Sequence, residues 1–398
     1  MVFIGFLGYS LMITVFTPMI LHAHGGMISA TSSTGERTIL LGILLCLYPL
    51  GQFFGSPVMG ALSDRFGRKR VLLASLCITT TAYVFIALAL SIGSPALLGA
   101  SSLIAGLSEA NVVIAQSAIA DVTTTASRSR FFGYIYISAS LAYVVGPLFG
   151  GKLADPSLVA WFDYATPFWA VFSLLVATTV WTFLVFDETR RPGVQQEARY
   201  LDAFTSLLSV VTDGRLRIFY LVNFLLYLAI FGFFRSYPMY LVDEFHLGVS
   251  ALSEFIAWVA VPIVIANLWA TGFLARRFAP RAVTFWSACL LAPLMVVIVI
   301  PDSQNALWVT LFLAAFALAI CLPACATMLS VAVGEAEQGR VMGNNQSLQV
   351  GAEALSGLVC GLLAALLVPL PLLVLAAIAL LAAIVLRRSG RRAVAAAG

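Results

Sequence analysis

Two acidic residues stand where acids are costly to keep. Glu109 and Glu353 each lie near the middle of a long apolar run, and a charged side chain at mid-bilayer costs roughly 2.5 to 3.5 kcal/mol on insertion scales. Burial disfavours the charged form of a carboxyl, so such a group can take up and release a proton near neutral pH. That is the chemistry a proton-coupled carrier needs. Ser102, Glu109 and Gln116 recur at seven-residue spacing and form one stripe of a helix, while Asn345, Gln346, Gln349 and Glu353 share a broad face of another. Two polar faces in opposite halves of the chain predict a water-accessible cavity, with Glu109 the first proton-coupling candidate and Glu353 the second. The alternative for each is a neutral acid hydrogen-bonded between helices.

Arg235 and Glu254 are the other charges inside apolar runs. Arg235 is read as the ion-pair partner of Glu254 or as the counter-ion of an acidic substrate. With Gln116, Tyr227, Trp258, Asn345 and Gln349 it makes up the candidate substrate-binding set. Tyr9, Phe16, Phe231 and Trp269 could add to an aromatic lining, although a large aromatic on a membrane helix more often packs or faces lipid. His22, His24 and His246 fall outside the spans or at their outer ends and make poor proton relays. All six cysteines lie in apolar runs without metal-ligand spacing, so neither a metal nor a disulfide is implied.

The elements that must position these residues follow from composition. The 398 residues are 61% hydrophobic and 10% charged, too little polar surface to cover a soluble globule. A spanning helix needs about 20 apolar residues. Twelve such runs are found, near 2–22, 38–62, 70–92, 97–121, 131–153, 165–186, 217–241, 250–273, 282–300, 305–333, 341–367 and 370–387. The first is apolar over a full membrane thickness, without a basic start or a small-residue cleavage site, and is read as a span and not a signal peptide. With both termini on the cytoplasmic side, 19 of the 22 Lys and Arg fall on inner segments, the bias expected of a multi-pass protein in a cell inner membrane. These basic residues are scattered over separate loops, so no nucleic-acid surface is implied.

The longest break, 187–216, reads as a cytoplasmic linker with an amphipathic helix over 200–211. It separates two six-helix bundles, 1–186 and 217–398. An internal echo supports the division: Gly60-Ala61-Leu62-Ser63-Asp64-Arg65-Phe66-Gly67-Arg68-Lys69 follows the second span, and Gly272-Phe273-Leu274-Ala275-Arg276-Arg277-Phe278 follows the eighth.

Gly60, Leu62, Asp64, Arg65, Gly67, Arg68 and Lys69 match in order the loop 2–3 signature of the major facilitator superfamily, which this chain resembles over nearly its whole length. Glycine permits a tight turn there and the basic residues anchor the cytoplasmic face. Gly146-Pro147-Leu148-Phe149-Gly150-Gly151 looks like the fifth-helix motif of the antiporter branch, where a bend and a tight helix seam are expected. Ile119-Ala120-Asp121 and Glu337-Gln338-Gly339-Arg340 resemble stretches of tetracycline-type drug:proton efflux pumps. The resemblance implies an all-α fold of two pseudo-symmetric six-helix bundles, and assigns Gly60, Asp64, Arg65, Gly67, Arg68, Gly146, Pro147, Gly150 and Gly151 to conformational gating. One position departs from the branch: Ser102 stands where its members usually carry an arginine, so a coupling scheme built on that arginine does not transfer.

The reading is a proton-coupled secondary transporter, not an enzyme, that exports a small amphipathic drug or metabolite by alternating access. Its partners are a small-molecule substrate, protons and the lipid bilayer; it needs no cofactor and is expected to be a monomer. The rivals are a proton-coupled importer, which shares the loop motif, and a non-transporting receptor on the same scaffold. No Gly-x-x-x-x-Gly-Lys-Ser/Thr stretch is present to draw on ATP.

Overall fold

The computed structural model describes residues 1–23, 26–109, 111–123, 125–189, 210, 212, 214 and 216–395. Apolar side chains in lipid leave the backbone no water to bond, and a helix satisfies every N–H and C=O within itself. Among the described residues the chain accordingly forms fourteen α-helices and no strand. They are α1 (Val2–Leu21), α2 (Thr34–Phe66), α3 (Arg68–Ile92), α4 (Pro95–Ser108), α5 (Asn111–Val122), α6 (Thr125–Leu153), α7 (Thr166–Val185), α8 (Arg217–Phe245), α9 (Val249–Ile265), α10 (Thr271–Arg277), α11 (Pro280–Val297), α12 (Gln304–Val331), α13 (Glu335–Leu366) and α14 (Leu370–Ala395).

Two of the twelve expected spans are interrupted. The fourth breaks between α4 and α5, and the eighth passes through a π-helical turn at Ala266–Ala270 between α9 and α10. Among the described residues, eleven helices are long and apolar enough to cross a membrane. On α6, the fifth expected span, the apolar stretch among the described residues is Ile137–Leu153. Most of the amphipathic helix expected over 200–211 lies outside the described residues.

The chain divides into two compact units, one of residues 1–203 with 246–257, the other of 204–245 with 258–398. In the first, α1 packs on α6, α2 on α4, and α3 on α4 and α7. In the second, α8 packs on α13, and α11 on α12 and α14. In each half, therefore, the first span lies along the fifth, and the third lies along the fourth and sixth. The internal echo seen in the loops extends to helix packing.

Glycines set the seams of the first unit. A Cβ on Gly106 would collide with the carbonyl of Tyr48, and one on Gly55 with the carbonyl of Leu107. The backbones of α2 and α4 thus touch. On α6, Gly146 meets Ser10 and Gly150 meets Leu11 of α1, while Gly151 meets Ser253 at the start of α9. The glycines of the fifth-span motif serve as contact points on three positions of neighbouring helices, as close packing in lipid requires.

Candidate functional site

The break in the fourth span falls on the first proton-coupling candidate. Glu109 ends α4 with ψ 83°, a non-helical value, and its N–H bonds the Gly106 carbonyl at 3.1 Å. A carbonyl released by the break must find another donor. Ser75 Oγ donates to the Ser108 carbonyl at 2.7 Å, and the Thr79 and Ser108 hydroxyls meet at 2.9 Å. Neighbouring α3 therefore supports the unwound turn.

Glu109 is 4% exposed, and the hydroxyl of Tyr48 donates to its Oε2. The glycine seam explains this contact, because α2 and α4 without side chains at 55 and 106 can bring Tyr48 within a bond of Glu109. Tyr9 of α1 stacks on Tyr48 with ring centroids 4.6 Å apart and fixes its ring. Ser102 is fully buried and Gln116 half-buried, on either side of the break. The continuous stripe expected of Ser102, Glu109 and Gln116 is not formed: the helix unwinds at its central member.

In the second unit, α8 and α13 run side by side in register. Arg235 Nη2 meets Glu353 Oε1 at 3.4 Å, with Arg235 2% exposed and Glu353 8%. Two turns away, Asn345 Nδ2 donates to Tyr227 Oη at 2.8 Å. Asn223, fully buried, donates from Nδ2 to Asn345 Oδ1 at 2.9 Å and to the Cys325 carbonyl at 3.0 Å. The unit thus holds a buried ion pair and a buried amide–phenol cluster on one helix seam.

This arrangement corrects the expected Arg235–Glu254 pair. Glu254, on the part of α9 that belongs to the first unit, meets Lys152 Nζ at 2.7 Å. Adjacency in sequence suggested the wrong neighbour, because α8 packs along α13. Trp258, another candidate substrate contact, donates from Nε1 to the Trp308 carbonyl at 2.8 Å, and its ring meets Trp308 edge-on. Gln349 is half-buried on the same helix as Asn345 and Glu353.

The loop 2–3 motif forms a third constellation. Arg68 is buried; its Nε meets Asp121 Oδ2 at 3.1 Å, and its Nη1 meets Asp64 Oδ1 at 2.6 Å and Ser63 Oγ at 2.7 Å. Two carboxylates on one planar fork use the geometry that only arginine offers. Glu188 accepts the N–H groups of Arg68 at 2.8 Å and Lys69 at 3.1 Å, so a carboxylate caps the start of α3 where the helix dipole favours it. Gly67 makes room: its φ is +97°, and a Cβ there would run into Glu188. Gly60 approaches Val113 of α5, while Arg65 lies over the Phe66 ring at 5.1 Å. Four segments of the first unit are thereby tied at one point.

Tyr48 and Asn223 were not singled out by sequence reasoning. Each is a single polar group in an apolar run, and Asn223 four residues before Tyr227 was the readable signal. Asp121 stood only inside the Ile119-Ala120-Asp121 stretch and Glu188 only inside the 187–216 break, because nothing local ties either to Arg68.

Two bundles built on one packing plan, with ionisable groups buried in each, define a multi-pass membrane carrier. The sequence profile described as Major Facilitator Superfamily matches residues 1–261 and 219–396, and the chain belongs to that family of transporters. It is 44% identical over 121 residues to the tetracycline resistance protein, class C, of Escherichia coli, a match covering 30% of this chain and 29% of that protein's length. It is 29% identical over 317 residues to the class E protein of Escherichia coli, covering 77% of this chain and 74% of that one. The solved structure of the human organic anion transporter MFSD10 (TETRAN) superposes with a TM-score of 0.66 at 24% identity, covering 97% of both chains.

Proposed function

We propose that this protein exports a small amphipathic compound in exchange for protons, by alternating access, across a cell inner membrane with both termini cytoplasmic. The observation that carries this reading is Glu109: a carboxyl buried where α4 ends in mid-span, with the Tyr48 phenol donating to it. A scaffold has no use for the insertion cost of that acid. A carrier uses it by protonating the carboxyl from one side and releasing the proton to the other, each state favouring a different conformation. Glu353, already paired with Arg235, is the second proton site, and Tyr227, Asn345, Gln349 and Gln116 are the polar contacts offered to substrate. The arginine-linked constellation around Arg68 gates the change of conformation, with Gly146, Pro147, Gly150 and Gly151 shaping the seam that slides. The similarity to tetracycline resistance proteins supports export of a drug-like compound. The transporter acts as a monomer and needs no cofactor.

The test is proton flux in inverted membrane vesicles, read with a pH-sensitive dye as a compound panel is added. Proton release that is lost in Glu109→Gln supports antiport coupled at Glu109. Release that survives moves the proton site to Glu353. Compound-driven flux only in the opposite vesicle orientation replaces export with uptake.

A further inference from the structure

The second unit carries a groove apart from Arg235, Glu353 and the Asn345 cluster. It lies between the start of α11 and the end of α14, encloses about 360 Å³, and is lined by Arg281, Phe285, Trp286, Leu386 and Arg387. Its walls are apolar and its rim is basic. Arg281 reaches across the seam, where Nη2 donates to the Leu386 carbonyl at 2.5 Å and to Ser389 Oγ at 2.7 Å. That bond fixes the rim to both helices. Arg387 and Arg388 are exposed beside it, and Arg276 and Arg277 close the turn before α11. Trp286, one turn into α11 from Arg281, is 68% exposed.

We infer that this groove binds one anionic phospholipid of the leaflet facing the arginine-rich end. The phosphate headgroup lies against Arg387, Arg388 and the free edge of the Arg281 fork, and an acyl chain runs down over Phe285 and Trp286. Charge complementarity selects the headgroup, because clustered arginines at the boundary of an apolar helix attract anionic lipid. The apolar floor selects a lipid over a free phosphate, which would gain nothing from Trp286 and Phe285. An indole at the headgroup level, apolar in body and polar at its tip, suits that depth. Bound there, the lipid would hold the third and sixth spans of the second half together where Arg281 already bridges them.

The experiment uses the full chain purified in detergent and mixed with equimolar phosphatidylglycerol and phosphatidylcholine, with bound lipid counted by native mass spectrometry. Phosphatidylglycerol is expected to be retained in preference, with the preference falling by about fivefold for each of Arg387→Gln and Arg388→Gln. In nanodiscs containing brominated phosphatidylglycerol, tryptophan quenching is expected to drop in Trp286→Phe. The selective part is the excess quenching by brominated phosphatidylglycerol over brominated phosphatidylcholine at equal mole fraction: its loss in Trp286→Phe supports the proposal where an arginine variant fails to fold, and equal quenching by the two lipids overturns it. Equal retention of both lipids overturns the proposal, as does a preference unchanged in the double arginine variant. Displacement of the lipid by millimolar inorganic phosphate would make the groove an anion site and not a lipid site, and would overturn it as well.

Discussion

The Tyr48 hydroxyl donates to the Glu109 carboxylate across the α2–α4 seam. A hydrogen bond to a charged group contributes about 1.5 to 3 kcal/mol, and it also fixes where the carboxyl points. Tyr48→Phe keeps the ring that stacks on Tyr9 and removes only the donor. Proton-driven transport is expected to fall about tenfold or more, with the stability of the detergent-solubilised protein lowered by no more than the lost bond's contribution of about 1.5 to 3 kcal/mol. A large stability loss with unaltered coupling would make the bond structural.

Gly106 and Gly55 allow that contact. Gly106→Val and Gly55→Val place carbons against the Tyr48 and Leu107 carbonyls, and overpacking at a closed seam costs about 1 to 3 kcal/mol or more. Both variants are expected to lower the yield of monodisperse protein on size-exclusion chromatography. Gly272→Ala, with open space around it, is the matched control and is expected to stay within about 1 kcal/mol of the parent.

Arg235 and Glu353 form an ion pair buried in the second unit. Removing one partner strands the other charge and is expected to cost about 3 to 5 kcal/mol, whereas replacing both by apolar residues of similar size costs far less. Thermal melts of Arg235→Met, Glu353→Leu and the double variant test this. A double variant that recovers its stability but not its transport would assign the pair to coupling or substrate, and recovery of both would make it structural.

Arg68 uses its fork on Asp64 and Asp121 at once. Arg68→Lys keeps the charge but cannot serve both carboxylates, so transport is expected to fall by an order of magnitude, consistent with losing one charge-assisted bond of about 1.5 kcal/mol. The half-exposed Arg340–Glu337 pair provides the comparison: Arg340→Gln is expected to change stability by about 0.5 kcal/mol at most. Equal effects in uptake assays on the two variants would remove the Arg68 constellation from gating.

The sequence by itself determined the solvent and an all-helical, many-span fold of two related halves. Those are properties of composition and period: a run of about 20 apolar residues has one use, and the echo of the Gly60 loop at Gly272 declares the repeat. It also named Glu109, Glu353 and Arg68, because a charge or an ordered motif is visible wherever it stands. What it left to the tertiary structure was partnership. Arg235 pairs with Glu353, 118 residues away, and not with Glu254 on the next span. Tyr48 reaches Glu109 because two glycines let α2 and α4 touch, and Glu188 caps α3 because Gly67 has no side chain to block it. Apolar runs of equal hydropathy carry no label for their neighbours in lipid. Close packing of small residues chooses the neighbours, and that choice exists only once the helices are assembled.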